Sequence, residues 1–284
     1  MGKVLTNGVC PSGCCARLMT LLSTSEILRL AAFAGVLLGM ALWELLTPRR
    51  KHRIARTARW PSNIGVVVLD TLLVRLVFPI GAVALALLAE ARGWGLFNAL
   101  GLPAWVTVPA GVVLLDLAIY LQHVLFHAVP ALWRFHRMHH ADLEFDVTTG
   151  VRFHPIEILL SMAIKLVVVL ALGTPALAVL SFEILLNATS LFNHGNVELP
   201  ARFDRALRWV MVTPDMHRVH HSIIARETNS NYGFNLPWWD RVFGTYRAQP
   251  EAGHLAMTIG IEQFRDLREQ RLDHMLTQPF RRGL

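Results

Sequence analysis

Five apolar runs, Ile27 to Leu46, Ile64 to Ala89, Ala104 to Phe126, Ile156 to Leu172 and Pro175 to Phe192, constrain this chain more than any other feature of its sequence. A helix needs about twenty apolar residues to cross the hydrocarbon core of a bilayer, and the first three runs meet that length. The last two sit at the short end of the range and are separated only by Gly173-Thr174, so they predict a helical hairpin that either crosses or dips in and returns. The run from Ile64 carries Asp70 and Arg75, and Pro79 is placed to kink it. A soluble helix would show an amphipathic spacing, and these runs do not. The mean hydropathy of +0.42 and a charged fraction of only 17% agree. The expected fold is therefore an all-α, polytopic membrane helical bundle of about four to five spans, or with a re-entrant hairpin, carrying a cytosolic cap.

The net charge of +7 does not point to nucleic acid. Arg49, Arg50, Lys51, Arg53, Arg56 and Arg59 follow the first apolar run directly, which is the positive-inside pattern of a cytoplasmic flank. The run lacks the short apolar core and cleavage site of a signal peptide, so it is expected to stay as a span. Cys10, Cys14 and Cys15 are odd in number and confined to the amino terminus, where they cannot staple a core. The organisation reads as an N-terminal, disordered extension over 1–25, a membrane domain over 26–248 and a polar helical tail over 249–284.

Histidines mark the functional region. His136, His139 and His140 form an H-x-x-H-H box that His217, His220 and His221 repeat; His123 and His127 stand at H-x-x-x-H spacing upstream, and His194 lies between the boxes. With that topology all nine fall at one membrane face, the cytoplasmic one. On a helix, residues three or four apart share a face, so each box can aim two rings at one ion. Adjacent residues diverge by about 100°. His139 and His140 must therefore point to different places, as must His220 and His221, which argues for two ions side by side. Nine imidazoles also exceed the four ligands of one tetrahedral zinc. Imidazole suits zinc, copper, iron and nickel alike, so ligand type leaves the metal open. His52, His254 and His274 lie outside the pattern and are expected to be solvated at the surface.

Ionisable and polar groups inside apolar runs usually face a partner or a water-filled cavity. Asp116 and Tyr120 stand on one stripe with His123 and His127, and Glu183, Asn187 and Ser190 form a like stripe leading to His194. These stripes are expected to face each other beneath the metals, as partners of ligand N–H groups or as the wall of a substrate channel. His154 breaks the box spacing ahead of a helix-starting proline and is expected beside the site. Arg152 and Glu157 read as charges that fix it.

Several segments together resemble the fatty acid hydroxylase and sterol desaturase superfamily, in its bacterial branch. They are His123-x-x-x-His127, Trp133-Arg134-Phe135-His136-Arg137-Met138-His139-His140, Asp146 to Pro155, Thr213-Pro214-Asp215-Met216-His217-Arg218-Val219-His220-His221, and the stretch Asn231 to Tyr246. The likeness covers roughly residues 60 to 248. It implies membrane helices under a cytosolic cap, with the nine histidines as ligands of two iron ions and O2 as co-substrate; zinc can substitute in purified material. It further implies attack on an unactivated C–H bond of a lipid such as a fatty acyl chain, sterol or related isoprenoid, by hydroxylation or desaturation, in a bacterial inner membrane. One departure stands out: some members carry a further histidine where this chain has Ser190, so a water or an open coordination site takes its place.

No Gly-x-Gly-x-x-Gly fingerprint opens a βαβ unit, so electrons must come from a separate ferredoxin-, cytochrome- or reductase-type donor. Two rival readings remain: an ether-lipid monooxygenase of the same superfamily, and a non-catalytic metal-binding membrane protein or transporter. Against the latter, the histidines gather at one face instead of tracing a pathway through the midplane.

Overall fold

The computed structural model describes residues 12–281, and among those residues the regular secondary structure is all helical, with only isolated β-bridges besides. Helix α1 runs Ser12–Leu46, α2 Arg56–Val77, α3 Ala82–Arg92, α4 Leu96–Leu100 and α5 Ala104–Ala128. After them come α6 Pro130–His140, α7 Pro155–Leu172, α8 Ala176–Asn193, α9 Ala201–Leu207 and α10 Pro214–His220. Helix α1 thus starts well before Ile27, and residues 12–25 of the expected N-terminal extension are helical; Ala, Leu, Met and Arg in 16–19 are strong helix formers. Cys10 lies outside the described residues.

Among the described residues, five stretches are long and apolar enough to cross a membrane: Leu22–Leu46, Arg56–Leu100, Ala104–Ala128, Pro155–Leu172 and Ala176–Asn193. By length and composition the chain is an integral membrane protein. Leu72, Leu76, Trp105, Val167 and Leu177 point outward, an apolar exterior that suits lipid and not water. Between the helices, small residues let the backbones close up: Ala82, Ala86 and Ala178 are fully buried. The second stretch breaks as Pro79 predicts, with α2 ending at Val77 and α3 starting at Ala82.

The hairpin of α7 and α8 reaches the turn that follows α3. Gly95, with φ of +92°, lies so close to Gly173 that a Cβ on it would sit 2.1 Å from the Gly173 nitrogen. Gly173 itself has φ of +64°, and its own Cβ would meet the Trp94 carbonyl at 2.5 Å. Only glycine fits such a crossing of two left-handed turns. The hairpin therefore descends as far as α3 does, and both of its other ends return to the level of His127.

At that end the helix termini are tied to one another. Glu44, near the end of α1, accepts from the amides of Val147 and Asn196, and Pro48 bridges to Val197. The segment after Gly253 then winds back across the cap. Met275 packs with Val66 and Met138, and Arg137 donates to the carbonyls of Gln278 and Arg281. The carboxyl-terminal tail is thus a strap over α6.

Candidate metal centre

Four helix ends deliver the nine histidines. The last turns of α5 carry His123 and His127, and α6, opened by Pro130 at its first position, ends on the box His136-x-x-His139-His140. His194 caps the carboxyl end of α8. Thr213 starts α10 by accepting from the Met216 amide, and His217, His220 and His221 follow within two turns.

The rings sort into two groups. His123, His127, His136, His140 and His220 form one, and His139, His194, His217 and His221 form the other; within each, one ligand atom per residue lies within 4.8 Å of all the rest. The adjacent pairs split as helical geometry requires: His139 and His221 turn to one group, His140 and His220 to the other. Each group can hold a metal ion.

The hydrogen bonds around the rings set their orientation. His123 Nδ1 donates to the Tyr232 carbonyl at 2.7 Å, His194 Nδ1 to Ser190 at 2.7 Å, and His220 Nδ1 to Ser230 at 2.7 Å. His136 Nδ1 meets the Glu157 carboxylate at 2.6 Å, and His127 Nδ1 meets Asn229 Oδ1 at 3.2 Å. Oxygens of this kind only accept, so each Nδ1 carries the proton and each Nε2 presents a bare lone pair. The Nε2 atoms converge: that of His136 lies 3.1 Å from that of His123 and 3.2 Å from that of His140, and that of His194 lies 3.1 Å from that of His217 and 3.2 Å from that of His139. Where both Nδ1 atoms are engaged elsewhere, as in His123 and His136, the facing lone pairs repel unless a cation sits between them. The Nε2 atoms of His127 and His220 and both nitrogens of His221 are buried with no hydrogen-bond partner. The donor set and its orientation fit two metal ions.

Electrostatics agree. Burial pushes His136 and His194 down to about 3, and burial together with neighbouring imidazoles holds His139, His140, His217, His220 and His221 well below the ordinary histidine range. All are neutral at physiological pH, the form that ligates metal.

Beneath the boxes lies a charge network that sequence reasoning missed. Arg59 is fully buried and grips Asp142 in bidentate fashion, Nε to Oδ1 at 2.6 Å and Nη2 to Oδ2 at 2.7 Å, while its Nη1 meets Asp146 at 2.8 Å. Arg152 donates to the Met138 carbonyl and to Gln270. Burial alone would raise Asp142, yet Arg59 and Arg152 hold it well below the usual carboxylate range. Arg59 had been grouped with the basic flank; it is instead an internal strut, because Asp142 and Asp146 offset the cost of removing it from water. The only signal available was an Asp-x-x-x-Asp spacing just after the first box. His254 is likewise buried and His52 half-buried, rather than solvated: His52 bonds Asn196 at 3.0 Å, and His254 lies 3.6 Å from Asp215.

The residues expected around the metals are placed differently from the expectation. Asp116 accepts from Asn235 and from the indole of Trp239, both at 2.8 Å, and so anchors the loop that follows Asn231. Tyr120 bonds Thr245 at 2.8 Å and stacks on Phe243. Glu183 pairs with Lys165 at 2.6 Å and with Arg29 at 2.5 Å, bracing α8 to α7 and α1. Asn187 bonds back to the Glu183 carbonyl of its own helix. The two stripes therefore do not meet beneath the metals; each is spent on an interhelical or loop contact, which is the cheaper way to satisfy a polar group in a membrane. Ser190 reaches His194 only through its carbonyl, while its hydroxyl bonds Gly150. His154 caps α7 and contacts the Leu276 carbonyl, outside both groups. Glu157 does touch a box histidine, as expected of a site-fixing charge.

What sequence reasoning missed at the rings themselves are the carbonyls of Ser230 and Tyr232, held in place by Asn231 and Asp240. Asn231, with φ of +52°, bonds Met216 and Arg247. Asp240 accepts from the amides of Tyr232 and Gly233. Backbone acceptors leave no mark in residue identity, but the polar residues that brace them do.

Residues 108–245, which hold all nine of these histidines, match the sequence model of one family, described as fatty acid hydroxylase. Residues 108–245 form a fatty acid hydroxylase domain. Among curated relatives, an ornithine lipid hydroxylase from Rhizobium tropici is 34% identical over 52% of this chain and 44% of its own length. A human alkylglycerol monooxygenase is 28% identical over 58% of this chain and 36% of its own. A rat cholesterol 25-hydroxylase is 28% identical over 58% of this chain and 54% of its own. The match thus spans about half or less of each of these fatty acid hydroxylase relatives. No solved structure matches the chain significantly.

Proposed function

We propose that the protein is a membrane-bound, oxygen-dependent di-iron oxidoreductase that hydroxylates a C–H position of a lipid. The observation that carries this reading is the pair of all-imidazole groups, five rings and four, all buried but the half-buried His127, at one end of a bundle whose exterior is apolar. Breaking an aliphatic C–H bond is beyond the reach of side-chain acids and bases, and two iron ions would supply the activation of O2 at these groups when bound. The balance is R–H plus O2, two electrons and two protons giving R–OH and water, so a separate electron donor is required.

The chain's own residues provide binding, orientation and dryness. His123, His127, His136, His140 and His220 would hold one ion, and His139, His194, His217 and His221 the other. Glu157 and the carbonyls of Ser190, Ser230 and Tyr232 keep each ring turned inward. Phe153 stacks on His139 with ring centres 4.4 Å apart, and Phe234 lies 5.0 Å from His123. Both belong to the apolar cluster that fills the bundle, so the groups face the side from which a lipid chain arrives. The basic segment 49–56 at the same end supports a cytoplasmic position for the site.

Purified protein should contain about two iron ions per chain and consume O2 when given reductant and membrane lipid. Zinc alone, with no iron-dependent oxygen uptake, would overturn the proposal. Lipid extracts from cells carrying the wild-type protein or His139→Ala would name the product. The alkylglycerol monooxygenase match favours one second reading, oxidation next to an ether oxygen; accumulation of an ether lipid in the variant would select it.

A further inference from the structure

A cleft of about 820 Å³ opens beside α9, between the end of α1 and the loops at 198–200 and 246–254. Its wall holds Arg49, Arg205, Arg208 and Arg241 against Glu198, Asp204 and Asp215; Arg49 pairs with Glu198 and Asp215, and Arg208 with Asp204, so the charges of Arg205 and Arg241 are the ones left over. Several donors in it are unused. Arg208 is 4% exposed and its Nη2 has no hydrogen-bond partner; His254 is 6% exposed and neither ring nitrogen has one. Burial holds His254 down at about 4, so it offers a neutral N–H and not a second charge. Arg241 is sandwiched between Trp209 and Tyr246, with 4.3 and 4.1 Å to the ring centres, and its Nε is also unpartnered. A guanidinium held flat between rings is pre-organised to grip an oxyanion along its edge. Buried donors left without acceptors cost free energy, and an anion in the cleft would satisfy them.

Position identifies the anion's carrier. Trp43 and Thr47, which also line the cleft, end the first membrane stretch, Leu22–Leu46. Trp209 and Val210 project from the rim, 62% and 57% exposed although they lie outside every membrane stretch. Tryptophan and arginine together at the end of a span mark the headgroup layer. Asp215, on the inner wall, stands two residues before His217 on α10. We propose that this cleft seats the anionic headgroup, a phosphate or carboxylate, of the membrane lipid that is oxidised. The proposal rests on the reading above only for identifying the bound lipid with the substrate.

The test uses the full chain in nanodiscs of phosphatidylcholine doped with phosphatidylglycerol, with retained lipid read by native mass spectrometry. Wild-type protein should retain phosphatidylglycerol over phosphatidylcholine. Arg205→Glu and His254→Phe should each lower that preference about tenfold, the effect of losing one charge-assisted hydrogen bond of roughly 1.4 kcal/mol. Arg208→Gln should do so too, but it also loses a bond to the Ala248 carbonyl, so the exposed Arg205 decides if that variant does not fold. Arg268→Gln, on the distant tail, should match wild type. Equal retention by Arg205→Glu, His254→Phe and wild type would overturn the headgroup site. Protection of detergent-solubilised protein by millimolar inorganic phosphate, with no lipid preference, would overturn the lipid source in favour of a soluble anion. Loss of binding with unchanged hydroxylated lipid in cells would overturn the identity with substrate. Binding is read without turnover, so it can fail while the oxygenase reading stands, and the reverse.

Discussion

At the scale of single residues, the sharpest consequence of the structure is that neighbouring histidines fall in different ring groups, so under the proposed function they serve different ions. His139→Ala should lower iron from about two to about one per chain while sparing the five-ring group, and His140→Ala should do the converse, since structural metal groups seldom survive loss of a ligand. Metal analysis paired with spectroscopy of the remaining iron checks this, and identical spectra from the two variants would contradict it. Glu157 makes a subtler case. Its carboxylate accepts from His136 Nδ1, so Glu157→Gln keeps the shape and removes the charge that strengthens the imidazole as a ligand. Iron affinity should fall about 10- to 100-fold with folding intact, measured by chelator competition. The histidines themselves were legible in the sequence, because metal ligation demands a residue type at a spacing. Asp116, Tyr120, Glu183 and Asn187 were misread because a polar residue in a span announces that it needs a partner without saying which one.

Between residues and the whole lie the contacts that set one element against another. The Arg59 guanidinium joins α2 to the segment 142–149 that links the boxes, and removing one member of such a buried pair costs about 3–5 kcal/mol. Arg59→Met should therefore lower the unfolding temperature and release iron, whereas Arg59→Met with Asp142→Leu should recover much of the loss in thermal unfolding. A single and a double variant of equal instability would show that the pair does not carry the contact. At the far end, Gly95→Ala should destabilise the crossing of the α3 and α7 turns, because its Cβ has no space and its φ of +92° disfavours any side chain. The spans and the break at Pro79 could be read from hydropathy and proline alone. Arg59 could not: a buried arginine and a topogenic one look alike in a basic run, and only the position of Asp142 and Asp146 tells them apart. The depth of the α7–α8 hairpin was equally hidden, since it is set by what Gly173 packs against.

The whole molecule is polarised. All nine box histidines, the basic linker from Arg49 to Arg56 and the carboxyl-terminal strap gather at one end, while the opposite end shows the turns at Gly93, Gly101 and Gly173. Arg92 beside those turns and Arg17 ahead of the first membrane stretch are outnumbered by the five cations of the linker, a bias that favours an orientation with the histidine end toward the cytoplasm, as proposed. The orientation decides which electron donors could reach the site. In a background with Cys10, Cys14 and Cys15 changed to Ser, Leu102→Cys should react with a membrane-impermeant maleimide on intact bacterial cells, and Arg53→Cys only after permeabilisation. Both side chains are exposed, so access depends on the membrane alone. The reverse pattern would place the metal groups outside the cytoplasm, beyond the reach of soluble ferredoxins and reductases, and the electrons would then have to come from a membrane-bound donor.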